Sequence, residues 1–106
     1  MGLFSFLRGP DINAGVAECQ STDGAILLDV RSVEEYRGGY IEGSVNLPLD
    51  KIATVGNIVK DKKTPLYVHC LSGARSGQAV SRLKQMGYTN ATNIGGISGY
   101  RGKVVK

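Results

Sequence analysis

Little in this sequence suits metal or disulfide chemistry. It holds two cysteines, Cys19 and Cys70, and one histidine, His69, with no C-x-x-C pair. That excludes a disulfide framework and offers no zinc-ligand spacing. Both thiols are expected to be reduced, which points to a cytoplasmic protein. No apolar run approaches the roughly 18 residues of a membrane span. The opening MGLFSFLRGP lacks a basic segment ahead of its short apolar patch and a small-residue cleavage site behind it. It therefore does not read as a signal peptide. Ser5 stands one place too early for a myristoylation pattern, which needs Ser or Thr where Phe6 falls. Residues 1–10 are read as an arm packing on its own domain or on a partner. Long charge blocks are missing too. The formal charge is +4, but scattered basic residues argue against nucleic acid or a lipid surface as partner. A small anion needs only a local positive pocket.

What is present describes one α/β domain over residues 11–106. The 106 residues suffice for a single core. Fifteen glycines, about twice the usual share, predict tight turns and close backbone approaches. Ile12, Val16 and Cys19 recur at the spacing of one helix face, with Asp11 or Asn13 as cap, so Cys19 belongs to the core. AILLDV (25–30) is a continuous apolar run ending at Asp29 and Val30, the pattern of a strand buried on both faces. Ser32 and Glu35 then have capping-box spacing, and Gly38-Gly39 closes that short helix. SVNLPL (44–49) predicts a strand stopped near Pro48. Asp50 is expected to cap a helix carrying Ile52, Val55 and Val59. PLYVHC (65–70) is the next strand. Ala79, Val80, Leu83 and Met86 mark a helix face ending at Gly87, and ATNI (91–94) is a last strand. Strands alternating with helices at these lengths imply a mainly parallel central sheet with helices on both faces.

YVHCLSGARSG, residues 67–77, concentrates the chemistry. Cys70 falls at the carboxyl end of a parallel strand, where such sheets present ligand sites. Leu71, Ser72, Gly73 and Ala74 make a compact loop that can turn N–H groups inward, and the helix start completes an anion-binding nest. Those dipoles favour thiolate over thiol at Cys70. Arg75 adds a permanent positive charge where an anion would arrive. A merely structural cysteine needs neither the glycine, the arginine nor the helix start.

CLSGARS resembles the active-site loop of rhodanese-like domains, the thiosulfate and persulfide sulfurtransferases, where C-x-x-G-x-R-S is a frequent form. LLDVRSVEEYRGGYIEGSVNLPL (27–49) and GYTNATNIGGISGY (87–100) are similar to the family's flanking segments, so the likeness covers nearly the whole chain. Tyr40 stands where the family often has histidine, Ser44 where it often has alanine, and Tyr100 where it usually has tryptophan. The resemblance implies a single rhodanese-like α/β domain. It also implies a reaction in which Cys70 takes a sulfane sulfur from a small anionic donor such as thiosulfate. The resulting persulfide, held by the N–H groups of residues 71–75, passes its sulfur to a thiol, to cyanide, or to a sulfur-trafficking protein. No cofactor and no metal are called for. Related phosphatases place one residue more between cysteine and arginine than the four found here, which favours sulfur transfer over phosphoester hydrolysis. A silent interaction module is disfavoured because the loop chemistry is intact.

Three further residues are read as supporting. Asp29 is expected to bond backbone or Ser76, Arg31 to pair with an acid such as Glu35, and Ser76 to serve as a helix cap or a pocket hydroxyl, the cap being preferred. His69 should face away from Cys70, because neighbouring strand residues point to opposite faces. Lys103 and Lys106 read as a solvated basic tail.

Overall fold

The structure is a computed structural model that describes residues 10–106. The arm expected over residues 1–10 lies outside the described residues except for exposed Pro10. The described elements are α1 (Ile12–Gln20), β1 (Ile26–Asp29), α2 (Val33–Arg37), β2 (Tyr40–Ile41) and β3 (Val45–Asn46). A 3₁₀ segment (Leu49–Asn57), β4 (Leu66–Cys70), α3 (Ala74–Gln85), β5 (Ala91–Gly96) and β6 (Val104–Val105) follow. β3, β1, β4 and β5 lie side by side in that order, all parallel. β2 and β6 pair antiparallel in a small separate ladder, Tyr40 with Val105 and Ile41 with Val104.

Alternation along the strands divides the core in two. Leu28, Val30, Leu66, Val68 and Cys70 face α3 and the 3₁₀ segment, meeting Ile52, Val55, Ala79 and Leu83. Leu27 and Tyr67 face the other way, toward Ile12, Val16 and Cys19 of α1. Burying each large aliphatic side chain contributes about 1.5–3 kcal/mol, and both sheet faces are covered as a parallel sheet requires. Asp11 caps α1 by accepting Asn13 N–H. Ser32 and Glu35 form the capping box at α2.

Asp50 does not cap the segment that follows it. Pro48 holds the N-cap position without a side-chain bond, and Asp50 lies exposed inside the first turn. The chain tightens to 3₁₀ geometry from Leu49, one residue before Asp50 could act. β5 carries an irregularity that matters for the site. Val68 pairs with Asn93, yet His69 pairs with Gly95, so Ile94 is an extra residue. Such a bulge re-aims the strand, and it sets Gly95-Gly96 opposite His69-Cys70.

Candidate active site

After Cys70 the chain turns over Leu71, Ser72 and Gly73 and enters α3 directly. Gly73 has φ of +107°, a left-handed conformation that favours glycine. Its N–H consequently points back and donates to Cys70 Sγ at 3.0 Å. The loop is braced from β5. Gly96 lies against the Leu71 carbonyl and Ser72 Cα so closely that a Cβ there would overlap both. Ser98 N–H donates to the Leu71 carbonyl at 3.1 Å.

Cys70 is 1% exposed, and burial alone pushes a thiol up by disfavouring its charged form. Hydrogen bonds from the Ser76 hydroxyl and the N–H groups of Ser76, Gly73 and Ser72 outweigh that burial and draw the Cys70 thiol below its ordinary value. The donors to Sγ itself therefore come from residues 72, 73 and 76. Ala74 and Arg75 already belong to the first turn of α3.

Ser76 is not the cap of that helix. Gly73 is, without a side-chain bond, and Ser76 sits fully buried inside the first turn with its Oγ 3.4 Å from Cys70 Sγ. The hydroxyl donates to Asn93 Oδ1 at 2.7 Å. Asn93, missed in the sequence, also donates from Nδ2 to the Gly73 carbonyl at 3.2 Å. Only strand registration could have signalled it, because Asn93 lies 23 positions beyond Cys70.

Arg75 is not a free cation. Its Nη1 and Nη2 fork onto Glu35 Oε1 and Oε2 at 2.7 and 3.0 Å. The guanidinium holds the Glu35 carboxyl down to about 2, aided by bonds from Ser32 and opposed by partial burial. Arg31 consequently finds a different acid from the one expected. Its guanidinium forks onto Asp29, with contacts of 2.8–3.1 Å, and donates to the Gly39 carbonyl at 2.8 Å. Asp29 is fully buried and needs the nearest cation, which is Arg31. It also accepts Arg31 N–H at 2.9 Å and makes no bond to Ser76.

His69 faces Asp29 on the α1 side of the sheet, with Nε2 3.8 Å from Asp29 Oδ2 and no hydrogen-bond partner among the described residues. Burial pushes its pKa down despite Asp29, disfavouring the charged ring. A groove of about 660 Å³ opens beside Arg75, with Val30, Pro48, Leu49, Asp50 and Arg82 among its walls. Leu71 stands 45% exposed at the loop. Lys103 reaches Glu42 at 3.7 Å in a solvent-exposed pair. Among the described residues no group of three His, Cys, Asp or Glu side chains is placed to hold a metal. No described helix is long and apolar enough to cross a membrane.

The family model for the rhodanese-like domain matches residues 14–103, a span that includes the parallel sheet and the cysteine loop. The chain belongs to the rhodanese-like family. Thiosulfate sulfurtransferase PspE of Escherichia coli (strain K12) is 38% identical to it over 71 residues, covering 66% of this chain and 68% of that protein. A protein named sulfurtransferase from Allochromatium vinosum is 38% identical over 78 residues, covering 72% of this chain and 71% of that protein. A solved structure described as a rhodanese with anions from E. coli superposes with a TM-score of 0.72 at 35% identity, covering 77% of this chain and 98% of that one. These rhodanese-like relatives place sulfur transfer at the level of the family.

Proposed function

We propose that this rhodanese-like domain is a sulfurtransferase that carries a sulfane sulfur as a persulfide on Cys70. One observation supports the reading above the others. Sγ is buried, yet Gly73 N–H donates to it at 3.0 Å and its pKa is drawn down. Burial without donors has the opposite effect, so the loop is built to hold charge on sulfur. In the first half-reaction the Cys70 thiolate attacks the outer sulfur of thiosulfate, and sulfite leaves with the electron pair of the broken S–S bond. The persulfide that remains is then attacked by a thiol or cyanide in a ping-pong cycle. The hydrogen bonds that draw the Cys70 thiol down favour the thiolate that makes this attack, so no separate general base is invoked.

Loop residues Leu71, Ser72 and Gly73, with Ala74 at the helix start, shape the cradle, and inward N–H groups stabilise the anionic sulfur by preorganisation. Arg75 contributes less bare charge than a free guanidinium, because Glu35 neutralises it. Its role is to fix the first turn of α3 against α2. Asp29 and Arg31 brace the end of β1. The four residues between Cys70 and Arg75 support sulfur transfer over phosphate chemistry. Two free cysteines support a reducing compartment, the cytoplasm.

A second reading, delivery of sulfur to a partner protein, draws on the exposed Leu71 beside the loop and the groove beside Arg75. Intact mass before and after thiosulfate tests both readings. A gain of one sulfur atom, removable by cyanide and absent in Cys70→Ala, is the expected result. A gain only with a protein persulfide donor assigns the chain to relay. No gain from either donor refutes the persulfide carrier.

A further inference from the structure

The Ser76 hydroxyl has one proton and several claims upon it. Asn93 Oδ1 at 2.7 Å, the Gly73 carbonyl at 3.1 Å and the Gly95 carbonyl at 3.4 Å can only accept. Cys70 Sγ lies 3.4 Å away. The Asn93 amide is oriented independently of Ser76. Gly95 N–H donates to Oδ1 at 3.0 Å, and Nδ2 donates to the Gly73 carbonyl at 3.2 Å. A flipped amide would set N–H against N–H and oxygen against oxygen. Oδ1 is thus held against the hydroxyl. The Gly73 carbonyl competes weakly, since it already accepts Gly77 N–H at 3.1 Å. While Cys70 is a thiol, S–H donates to Ser76 and Ser76 donates to Asn93. An anionic sulfur has no proton to give and needs one directed at it. The hydroxyl must then rotate off Asn93.

We propose that Asn93 is a positioning residue for sulfur transfer, holding the Ser76 proton while Sγ is bonded to hydrogen or sulfur and yielding it when Sγ becomes a thiolate. The proposal rests on the reading of Cys70 as sulfur carrier. In the second half-reaction an acceptor thiolate attacks the outer sulfur of the persulfide. A new S–S bond forms to the acceptor, the bond from Sγ to the outer sulfur breaks, and its electron pair returns to Sγ. One thiolate is consumed and one is produced. Ser76 donates a hydrogen bond to the new thiolate and keeps its proton. By competing for that hydroxyl, Asn93 limits how far the thiolate is stabilised. Sulfur pick-up then keeps a stronger nucleophile, while release keeps an adequate leaving group.

The charged groups around Cys70 are common to every variant compared below. Arg75 from α3 interacts with a charged Cys70 but is paired with Glu35 of α2, and Arg31 is paired with Asp29 at the end of β1. His69 of β4, whose charged form burial disfavours, lies on the opposite sheet face. Differences in the Cys70 midpoint between these variants therefore report the local hydrogen bonds.

In a Cys19→Ala background, far-ultraviolet thiolate absorbance against pH, corrected for tyrosinate by the Cys70→Ala variant, reads Cys70. Ser76→Ala raises the midpoint by about one pH unit, the worth of a hydrogen bond to a charged group. Asn93→Leu lowers it, because the hydroxyl no longer abandons a partner to serve the sulfur. That lowering disappears in the Ser76→Ala/Asn93→Leu double variant. Asn93→Ala, with the same expected sign, replaces Asn93→Leu if the latter does not fold. If Asn93 merely splints the loop, its loss draws Gly73 N–H away from Sγ and the midpoint rises. Such a rise, an unchanged midpoint, or a shift that survives without Ser76 overturns the proposal. Persulfide loading is read by mass on the same unsubstituted protein. Its absence there removes the sulfurtransferase reading whatever the midpoints do.

Discussion

The two cysteines of this chain are both buried and have opposite characters. Cys19 lies on α1 among Ile12, Val16 and Leu27, and burial pushes its thiol up. Cys70 is more deeply buried, at 1% against 8%, and its thiol is drawn down. Depth is therefore not what separates a thiol pushed up from one drawn down. The difference is what the backbone presents. Cys19 is in the last turn of α1, where nearby N–H groups are spent on helical bonds. Cys70 precedes a left-handed glycine and the unspent N–H groups of a helix start.

Removing either sulfur breaks the comparison most severely. Thiosulfate-to-cyanide turnover by Cys70→Ser is expected to fall to background, whereas Cys19→Ser retains the wild-type rate. Equal losses in the two variants would place the chemistry elsewhere. A smaller but large effect comes from the brace behind the loop. Gly96→Ala pushes a methyl group into the Leu71 carbonyl, costing about 1–3 kcal/mol of stability. Displacement of the cradle should lower turnover on the order of 10²-fold, while the Cys19 thiol titrates unchanged. Urea unfolding and steady-state rates on one preparation check both halves.

The smallest expected effect concerns the clamp between α2 and α3. Glu35 is held at about 2 against an ordinary 4.5. A depressed carboxyl pKa stabilises the fold fully above the unfolded value and loses that contribution as pH falls through the folded one. Glu35→Gln should cost no more than about 1 kcal/mol at neutral pH, given the partial exposure of the pair. The difference from wild type should shrink between about pH 4.5 and pH 2. A gap that persists unchanged at pH 2 would mean that Glu35 stabilises by packing and not by charge.

Local patterns in the sequence were legible where the interaction is itself local. Ser32 and Glu35 form the capping box that their spacing predicts, and alternation puts Cys70 and His69 on opposite faces of β4. Partner choice was not legible. Arg31 and Glu35 are near neighbours in sequence, yet each forms its ion pair elsewhere, because Arg75 arrives from α3 and Asp29 is the carboxylate buried beside Arg31, which reaches only the backbone carbonyl of Glu35. Asn93 carries no local signature, and its place beside Ser76 depends on the registration of β5 against β4. The β2–β6 ladder escaped notice because strands of two residues show no period.

The brace at Gly96 and Ser98 has a consequence for the chain as it is being made. Leu71 and Gly73 are held by residues between 93 and 98, so the cradle cannot close until synthesis has passed that point. A nascent chain halted before Asn93 is expected to display Cys70 as an ordinary thiol, its anion-favouring cradle completed only once β5 and the turn after it have emerged.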